Sequence, residues 1–399
     1  MKRDTFLPFH LPSISEAEID DVAAVLRSGW LTTGPKTREF EQRFAEYVGA
    51  RHAVALNSGT AALHLALDAA GVGEGDRVVT TPFTFAASAE VIFYLRAEPV
   101  FVDVRRDSGN IDPERLAETL ETGRRDAGAR VKVVLPVHFA GQPCAMEPIV
   151  DLAAQHGLRV VEDAAHALPA RRQWSDGRWR PVGSIGDMTC FSFYATKTLT
   201  TGEGGMLTTD SAEWADRARM MSLHGISRDA WKRYTAEGSW YYEVLAPGFK
   251  YNLTDVAAAL GVGQLRRCTE MYERRRRHVR TYGEALADVE AITLPSEEPG
   301  VEHAWHLYVI RLRDEMLTLD RARFVEELRA RSIGSSVHFI PLHLHPYYRE
   351  RFGFRPGAFP NAEWIYRRCV SLPLFPDMTD EDVYSVAGAI RDIVKRHGR

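Results

Sequence analysis

The sequence predicts an α/β protein with a mainly parallel central sheet, helices on both faces, and a smaller α+β domain at its C-terminal end. Three observations carry this. From about residue 51, short Val/Ile/Leu-rich segments alternate with amphipathic helical ones, the pattern of a parallel sheet covered on both sides. Past residue 255 the texture changes to one long helical stretch and then mixed strands and helices. The chain has 399 residues, enough for a large core and two domains. The boundaries read as an N-terminal segment over 1–30, a large domain over 31–254 and a small domain over 255–399.

The elements follow in order. Glu16–Arg27 forms a leading helix. NSGTAALHLALDAAG (57–71) is a capped helix, DRVVTTP (76–82) a strand and FAASAEVIFYLRA (85–97) a helix. EPVFVDV (98–104) and RVKVVLPVHF (130–139) are strands flanking the helix DPERLAETLE (112–121). AMEPIVDLAAQHG (145–157) is helical, and LRVVEDAAH (158–166) is a strand running into a polar turn. MTCFSFY (188–194) and GGMLTTD (204–210) are further strands, and a helix starts near Ser211. Residues 254–289 read as a long, kinked helix, HAWHLYVIRLR (303–313) as a strand and RARFVEELRARSIG (321–334) as a helix. SSVHFIPL (335–342) reads as a strand and DEDVYSVAGAIRDIVKRH (380–397) as a final helix. Within the long helix, ERRRRH (273–278) stands beside Glu270, Glu273 and Glu284, so i,i+4 pairing on a wet face accounts for it.

Composition excludes several classes. Net charge is −4, which gives nucleic-acid binding no electrostatic support. MKRDTFLPFHLP lacks the apolar run of a signal peptide, and no stretch approaches the ~18 apolar residues of a membrane helix. Four widely spaced cysteines without a C-x-x-C pair point to free thiols in a cytoplasmic protein.

Open parallel sheets bind ligands beyond the carboxyl ends of their strands, and three features converge there. Ser58 is an N-cap candidate ahead of Gly59 and Thr60, where free N–H groups and the helix dipole suit a phosphate; the same residues also make an ordinary capped helix. The strand Val160-Val161 ends in Glu162-Asp163, and a buried carboxylate demands a cationic partner, although acids also cap strand ends. Lys197 lies 34 residues beyond Asp163 among aromatic and small residues, and a desolvated lysine loses its proton readily and becomes a nucleophile. Ser192, five residues earlier, offers a hydroxyl to a phosphate. The glycines of TTGEGG (Gly202, Gly204, Gly205) read as turn geometry and close packing.

SGWLTTGPKTREFE (28–41), ALNSGTAALHLAL (55–67), TTPFTFAAS (80–88), PVFVDV (99–104), VVEDAAHA (160–167), GSIGDMTCFSFYATKTLTTGEGGML (183–207) and GFKYNLTDVAAALGVGQL (248–265) together resemble the DegT/DnrJ/EryC1/StrS family. These are sugar-nucleotide aminotransferases of the pyridoxal-phosphate-dependent transferase fold type I, and the resemblance covers nearly the whole chain. It implies pyridoxal 5′-phosphate as cofactor, bonded covalently to Lys197, with Asp163 on the ring nitrogen and His166 near the ring. It implies Phe85 stacked on that ring and Ser58, Gly59, Thr60 and Ser192 around the phosphate. Asn252 matches an asparagine that reaches the phosphate of the neighbouring subunit, which implies a homodimer with shared active sites. Some relatives are dehydratases with histidine in place of the lysine; Lys197 favours the transaminase.

The segments 335–354 and 359–383 are most similar to relatives acting on UDP-linked 4-keto-sugars, with glutamate the family's usual donor. His338 matches a position near the sugar, and Thr33 and Gly34 border the substrate entrance. His338, His343 and His345 have no acidic or cysteine ligand beside them, so no metal is expected. Two departures stand out. Pro169 occupies a position where relatives carry glycine. The stretch 171–184 is longer than usual, and places Trp174 and Trp179 around an Asp176-Gly177 hairpin turn with substrate or partner within its reach, or simply packed on the surface. Two other readings keep the scaffold: a transaminase of a non-nucleotide cyclic ketone of the cyclitol type, and a cofactor-binding regulatory protein without turnover.

Overall fold

The computed structural model describes residues 3–123, 130–227 and 241–399. Two helices come first, α1 (Glu16–Ser28) and α2 (Pro35–Val48), then strand β1 (His52–Leu56) and α3 (Gly59–Ala69). The alternation continues through β2 (Arg77–Thr80), α4 (Ala87–Tyr94), β3 (Glu98–Phe101), α5 (Pro113–Gly123), β4 (Val131–Val134), α6 (Met146–His156) and β5 (Arg159–Asp163). A hairpin, β6 (Arg171–Gln173) and β7 (Trp179–Pro181), precedes β8 (Met188–Ser192), β9 (Gly205–Thr209) and α7 (Ala212–Ser222). The remainder is α8 (Asp255–Leu286), β10 (Ile292–Thr293), β11 (Val301–Glu302), β12 (Tyr308–Leu312), α9 (Arg321–Ala330), α10 (Pro346–Phe352), α11 (Pro360–Arg368), β13 (Cys369–Leu372) and α12 (Asp380–His397).

The central sheet runs in the order β1-β9-β8-β5-β4-β2-β3. Its pairings make every strand parallel except β9, which lies antiparallel to both β1 and β8. Alternation along each strand sorts the valines. Val78, Val133 and Val161 pack into the cluster of α3, α4 and α7, while Val79, Val134 and Val160 meet α5 and α6 on the other face. Both faces are dry, so the strands read as continuous apolar runs. A second sheet, β10-β12-β13, is antiparallel. It packs with α9, α12, Tyr282 and Leu286 into a separate core.

The long helix α8 ties these parts together. A Cβ at Gly261 would lie 2.7 Å from Cζ of Phe40, and one at Gly263 would lie 2.6 Å from Cγ of Glu18. The two glycines let α2 and α1 approach the helix backbone, and α8 runs unbroken through them where the sequence suggests a kink. Arg267 then reaches Glu18 at 3.1 Å.

Several sequence expectations are revised here. Residues 335–341 are irregular apart from one bridge, Ser336 to Ser371, and Leu342 opens a short 3-10 turn. The Arg-rich turn is only partly a wet face. Arg274 pairs with Glu270 at 2.7 Å and Arg276 with Glu273 at 3.1 Å, but Arg275 and His278 are buried. Arg275 donates to the Leu374 carbonyl at 2.8 Å; the 3.6-residue period turns the second arginine of the run inward. The tryptophan hairpin does form, with Gly177 at φ +79°. Its Trp174 packs on the α5–α6 core and Ser175 donates to Glu147 of α6.

Gly261→Ala should destabilise the protein by ~1–3 kcal/mol, because Phe40 is fully buried and cannot retreat. Gly283→Ala, on the same helix with open space around it, should stabilise by up to ~1 kcal/mol through helix propensity. Thermal unfolding of the two variants checks the pair; equal shifts would contradict the packing account.

Candidate active site

A cleft of about 540 Å³ opens at the carboxyl ends of β5 and β8. It is lined by Ser58, Gly59, Thr60, Phe85, Asp163, His166, Ser192, Lys197 and His338 among the residues singled out in the sequence.

Each is placed by its element. Ser58 caps α3, its Oγ accepting from the Ala61 N–H at 3.0 Å. The first-turn N–H groups of Gly59 and Thr60 have no acceptor within the helix and face the cleft with the dipole's positive end. Gly59 is required there, since a Cβ would sit 2.8 Å from that of Ser192. Asp163 shares the face of Val161 and enters the cleft, whereas Glu162 alternates to the opposite face. There Glu162 accepts from Gly186 N–H at 2.7 Å and Thr189 Oγ1 at 2.8 Å and pairs with His138 at 2.9 Å. The carboxylate oxygens of Asp163 accept from the Ala165 N–H at 3.1 Å and the Ser88 hydroxyl at 2.7 Å.

Lys197 sits in the loop between β8 and β9. The hydroxyl-rich run around it is a clamp. Thr200 donates Oγ1 to the Phe193 carbonyl at 3.1 Å, Thr201 N–H bonds the same carbonyl at 3.0 Å, and Thr201 Oγ1 donates to the Glu203 carbonyl at 2.7 Å. Gly202 takes a positive φ of 79°, and Cβ atoms at Gly204 and Gly205 would strike Thr201 Oγ1 and the Ser58 carbonyl. These glycines serve the turn and the close packing. Burial lowers the Lys197 amine to about 8, against the opposing pull of the Asp163 charge.

Histidines form the far wall. Burial, then the Lys197 and His338 charges, holds His166 well below its usual basicity. Its ring lies 4.3 Å from that of His306 and near-parallel to Phe339 at 5.8 Å. His338 bonds Ser371 Oγ through Nδ1 at 2.8 Å, and burial followed by Lys197 brings it down to about 4. Phe85 projects into the opening, 64% exposed.

Thr33, Gly34 and Asn252 do not line this cleft. They cluster elsewhere: Asn252 Nδ2 donates to Thr33 Oγ1 at 2.7 Å, and Thr33 Oγ1 donates to the Leu253 carbonyl at 2.6 Å. Gly34 leaves room for Asp255, whose carboxylate caps α2 through Thr37 N–H at 2.9 Å. His343 is buried against Glu363 at 3.0 Å. Residues 171–184 of the hairpin do not line the cleft either. Phe9, Thr84, Tyr194, Glu203, His306, Val337 and Phe339 do line it and were not singled out in the sequence. Phe9 arrives on the N-terminal segment, which is pinned by a Leu7–Ile333 bridge, and its ring packs at a tilt against His338 at 5.5 Å; no local pattern announces this. For Ser88 a signal existed, the i,i+4 spacing of Thr84 and Ser88.

The cleft fits pyridoxal 5′-phosphate. A helix N-terminus with a glycine that admits close approach suits the phosphate, Asp163 suits a protonated ring nitrogen, and a weakly basic amine suits the aldehyde.

The pH dependence follows from Lys197. With the amine at about 8, about one molecule in ten carries it neutral at pH 7, against roughly three in ten thousand for an ordinary lysine. In the apoprotein, labelling of this amine by an aldehyde should rise tenfold per pH unit below 8 and level off above it. A rise continuing to pH 10 in peptide-resolved labelling would contradict the assignment.

With the geometry in place, comparisons with known proteins converge. The family model of the DegT/DnrJ/EryC1/StrS aminotransferase family matches residues 12–391. The chain is 49% identical over 395 residues to the spore coat polysaccharide biosynthesis protein SpsC of Bacillus subtilis, covering 99% of this chain and 98% of SpsC. It is 48% identical over 397 residues to the uncharacterized protein MJ1066 of Methanocaldococcus jannaschii, covering 100% of each. Among solved structures, the putative sugar aminotransferase Spr1654 of Streptococcus pneumoniae superposes in its PMP form with a TM-score of 0.89 at 33% identity, over 98% of this chain and 99% of that one. A PLP form of the same protein superposes equally over the chain, with a TM-score of 0.88. The chain belongs to the DegT/DnrJ/EryC1/StrS aminotransferase family, whose members use pyridoxal 5′-phosphate.

Proposed function

We propose that this protein aminates a nucleotide-linked keto-sugar, a UDP-4-keto-sugar, with glutamate as amino donor, and does so as a homodimer with shared active sites. The observation that carries the reading is the meeting of Lys197, Asp163 and the α3 N-terminus in one cleft.

When bound, the cofactor supplies an electron sink beside the carbon that gains or loses a proton. The residues do the rest. Lys197, held near neutrality at about 8, gives and takes that proton at Nζ. Asp163 supplies the negative charge opposite the ring nitrogen. The N–H groups of Gly59 and Thr60, with the Ser192 hydroxyl, anchor the phosphate, while Ser58 keeps the helix end in shape. Phe85 and His166, which both line the cleft, would flank the ring, and His166, held well below its usual basicity by burial, would add no competing charge. His338, oriented by Ser371, faces the sugar. Asn252 reaches the phosphate in the cleft of the second subunit, and Thr33, its hydrogen-bond partner at 2.7 Å, and Gly34 border a substrate entrance. Polysaccharide biosynthesis, named for SpsC, is a pathway that consumes amino-sugars of this kind.

Glutamate should bleach the visible absorption of the purified holoprotein, and a UDP-4-keto-sugar should restore it and yield the UDP-amino-sugar by mass spectrometry. Lys197→Arg should slow both halves by ~10²–10⁴-fold. UDP should compete with the acceptor. Failure of UDP to compete, with a cyclic ketone accepted instead, would move the substrate to the cyclitol class. No response to glutamate would leave a cofactor-binding protein without turnover.

A further inference from the structure

Asp163 is one end of a chain of hydroxyls. Ser88 Oγ lies 2.7 Å from Asp163 Oδ2, and Thr84 Oγ1 lies 2.7 Å from Ser88 Oγ. All three residues are buried, Ser88 completely. The proton directions are determined by counting. A carboxylate only accepts, so Ser88 donates its single proton to Asp163. None is left for Thr84, so Thr84 donates to Ser88. Thr84 itself lines the cleft, next to Phe85.

Neither hydroxyl is spent on secondary structure. Ser88 lies in the first turn of α4, whose N-cap, Ala86, has no side-chain cap bond. A serine in a helix commonly bonds the carbonyl four residues back; here Ser88 instead meets the Thr84 side chain at that spacing and turns its proton to β5. The other oxygen of Asp163 takes the Ala165 N–H at 3.1 Å. The carboxylate is thus gripped at both oxygens while Asp163 lines the cleft.

We propose that Ser88 is a positioning residue, which with Thr84 behind it holds Asp163 as an oriented carboxylate and so sets how firmly the cofactor's ring nitrogen keeps its proton. This rests on the assignment of Asp163 to that nitrogen. Hydrogen bonds to a charged group polarise along a chain, so removing the first link costs more than removing the second, and the second matters only through the first.

The test uses the full-length holoprotein and its apo form. Ser88→Ala should weaken pyridoxal-phosphate binding to the apoprotein by ~10–100-fold and slow the glutamate half-reaction by a similar factor, with the glutamate concentration dependence little changed and the apoprotein still folded, though at a lower melting temperature. Ser88→Cys, of similar size and a poor donor, should behave like Ser88→Ala and guards against a folding defect. Thr84→Val should show a smaller loss, and adding it to Ser88→Ala should produce no further loss. Wild-type cofactor affinity and half-reaction rate in Ser88→Ala and Ser88→Cys, or simple additivity with Thr84→Val, would overturn the proposal while leaving the proposed function intact. If the wild-type protein itself neither binds the cofactor nor responds to glutamate, it is the functional reading that falls.

Discussion

Two opposite charges in one buried cleft, the Asp163 carboxylate and the Lys197 amine, are the constraint around which the rest is arranged. Burying either is costly unless it is compensated. Asp163 is met by the Ser88 hydroxyl and the Ala165 N–H. Lys197 is handled differently, by desolvation that makes the neutral amine accessible near pH 8. The asymmetry suits a site in which the acid must stay charged and the amine must shed its proton. The surrounding histidines, His166, His306 and His338, are all pushed toward neutrality by burial, so they line the cleft without adding positive charge.

Rigidity comes from behind. The Lys197 loop is clamped by Thr200 and Thr201 to Phe193, and Phe193 packs at 5.3 Å on Phe40. Phe40 in turn rests on the bare backbone of Gly261. Gln264, one turn on, reaches Thr200 N–H at 3.4 Å and the Ser13 carbonyl at 2.8 Å, tying the loop, α8 and the N-terminal segment into one unit. That segment carries Phe9 onto His338, so the cleft wall depends on residues far apart in the chain.

This separation explains which parts of the protein were legible in its sequence. The βα alternation and its order could be read because period-two and period-3.6 patterns are local. Ser58 and Asp163 could be read because each stands at an element boundary with unusual chemistry, and Lys197 because it is a lone cation among small and aromatic residues, and the family blocks surround all three. The segment carrying His338 misled, since its apolar content suggested a strand while its role is to curve along the cleft. Arg275 misled because its like-charged neighbours hid the inward turn of the helix. Phe9, His306 and Phe339 left no local trace at all, for only the tertiary fold brings them to the cleft. The contact between Asn252 and Thr33 left no trace either, since resemblance gives the two separate roles and only the fold brings them within 2.7 Å.

The proposed reaction stands on a covalent bond between Lys197 and the cofactor. Borohydride reduction of the holoprotein followed by peptide mass mapping tests it most directly. The phosphopyridoxyl group should appear on the peptide containing Lys197 and vanish in Lys197→Arg. Its appearance on another lysine, such as Lys250 beside Asn252, would rule Lys197 out as the anchor.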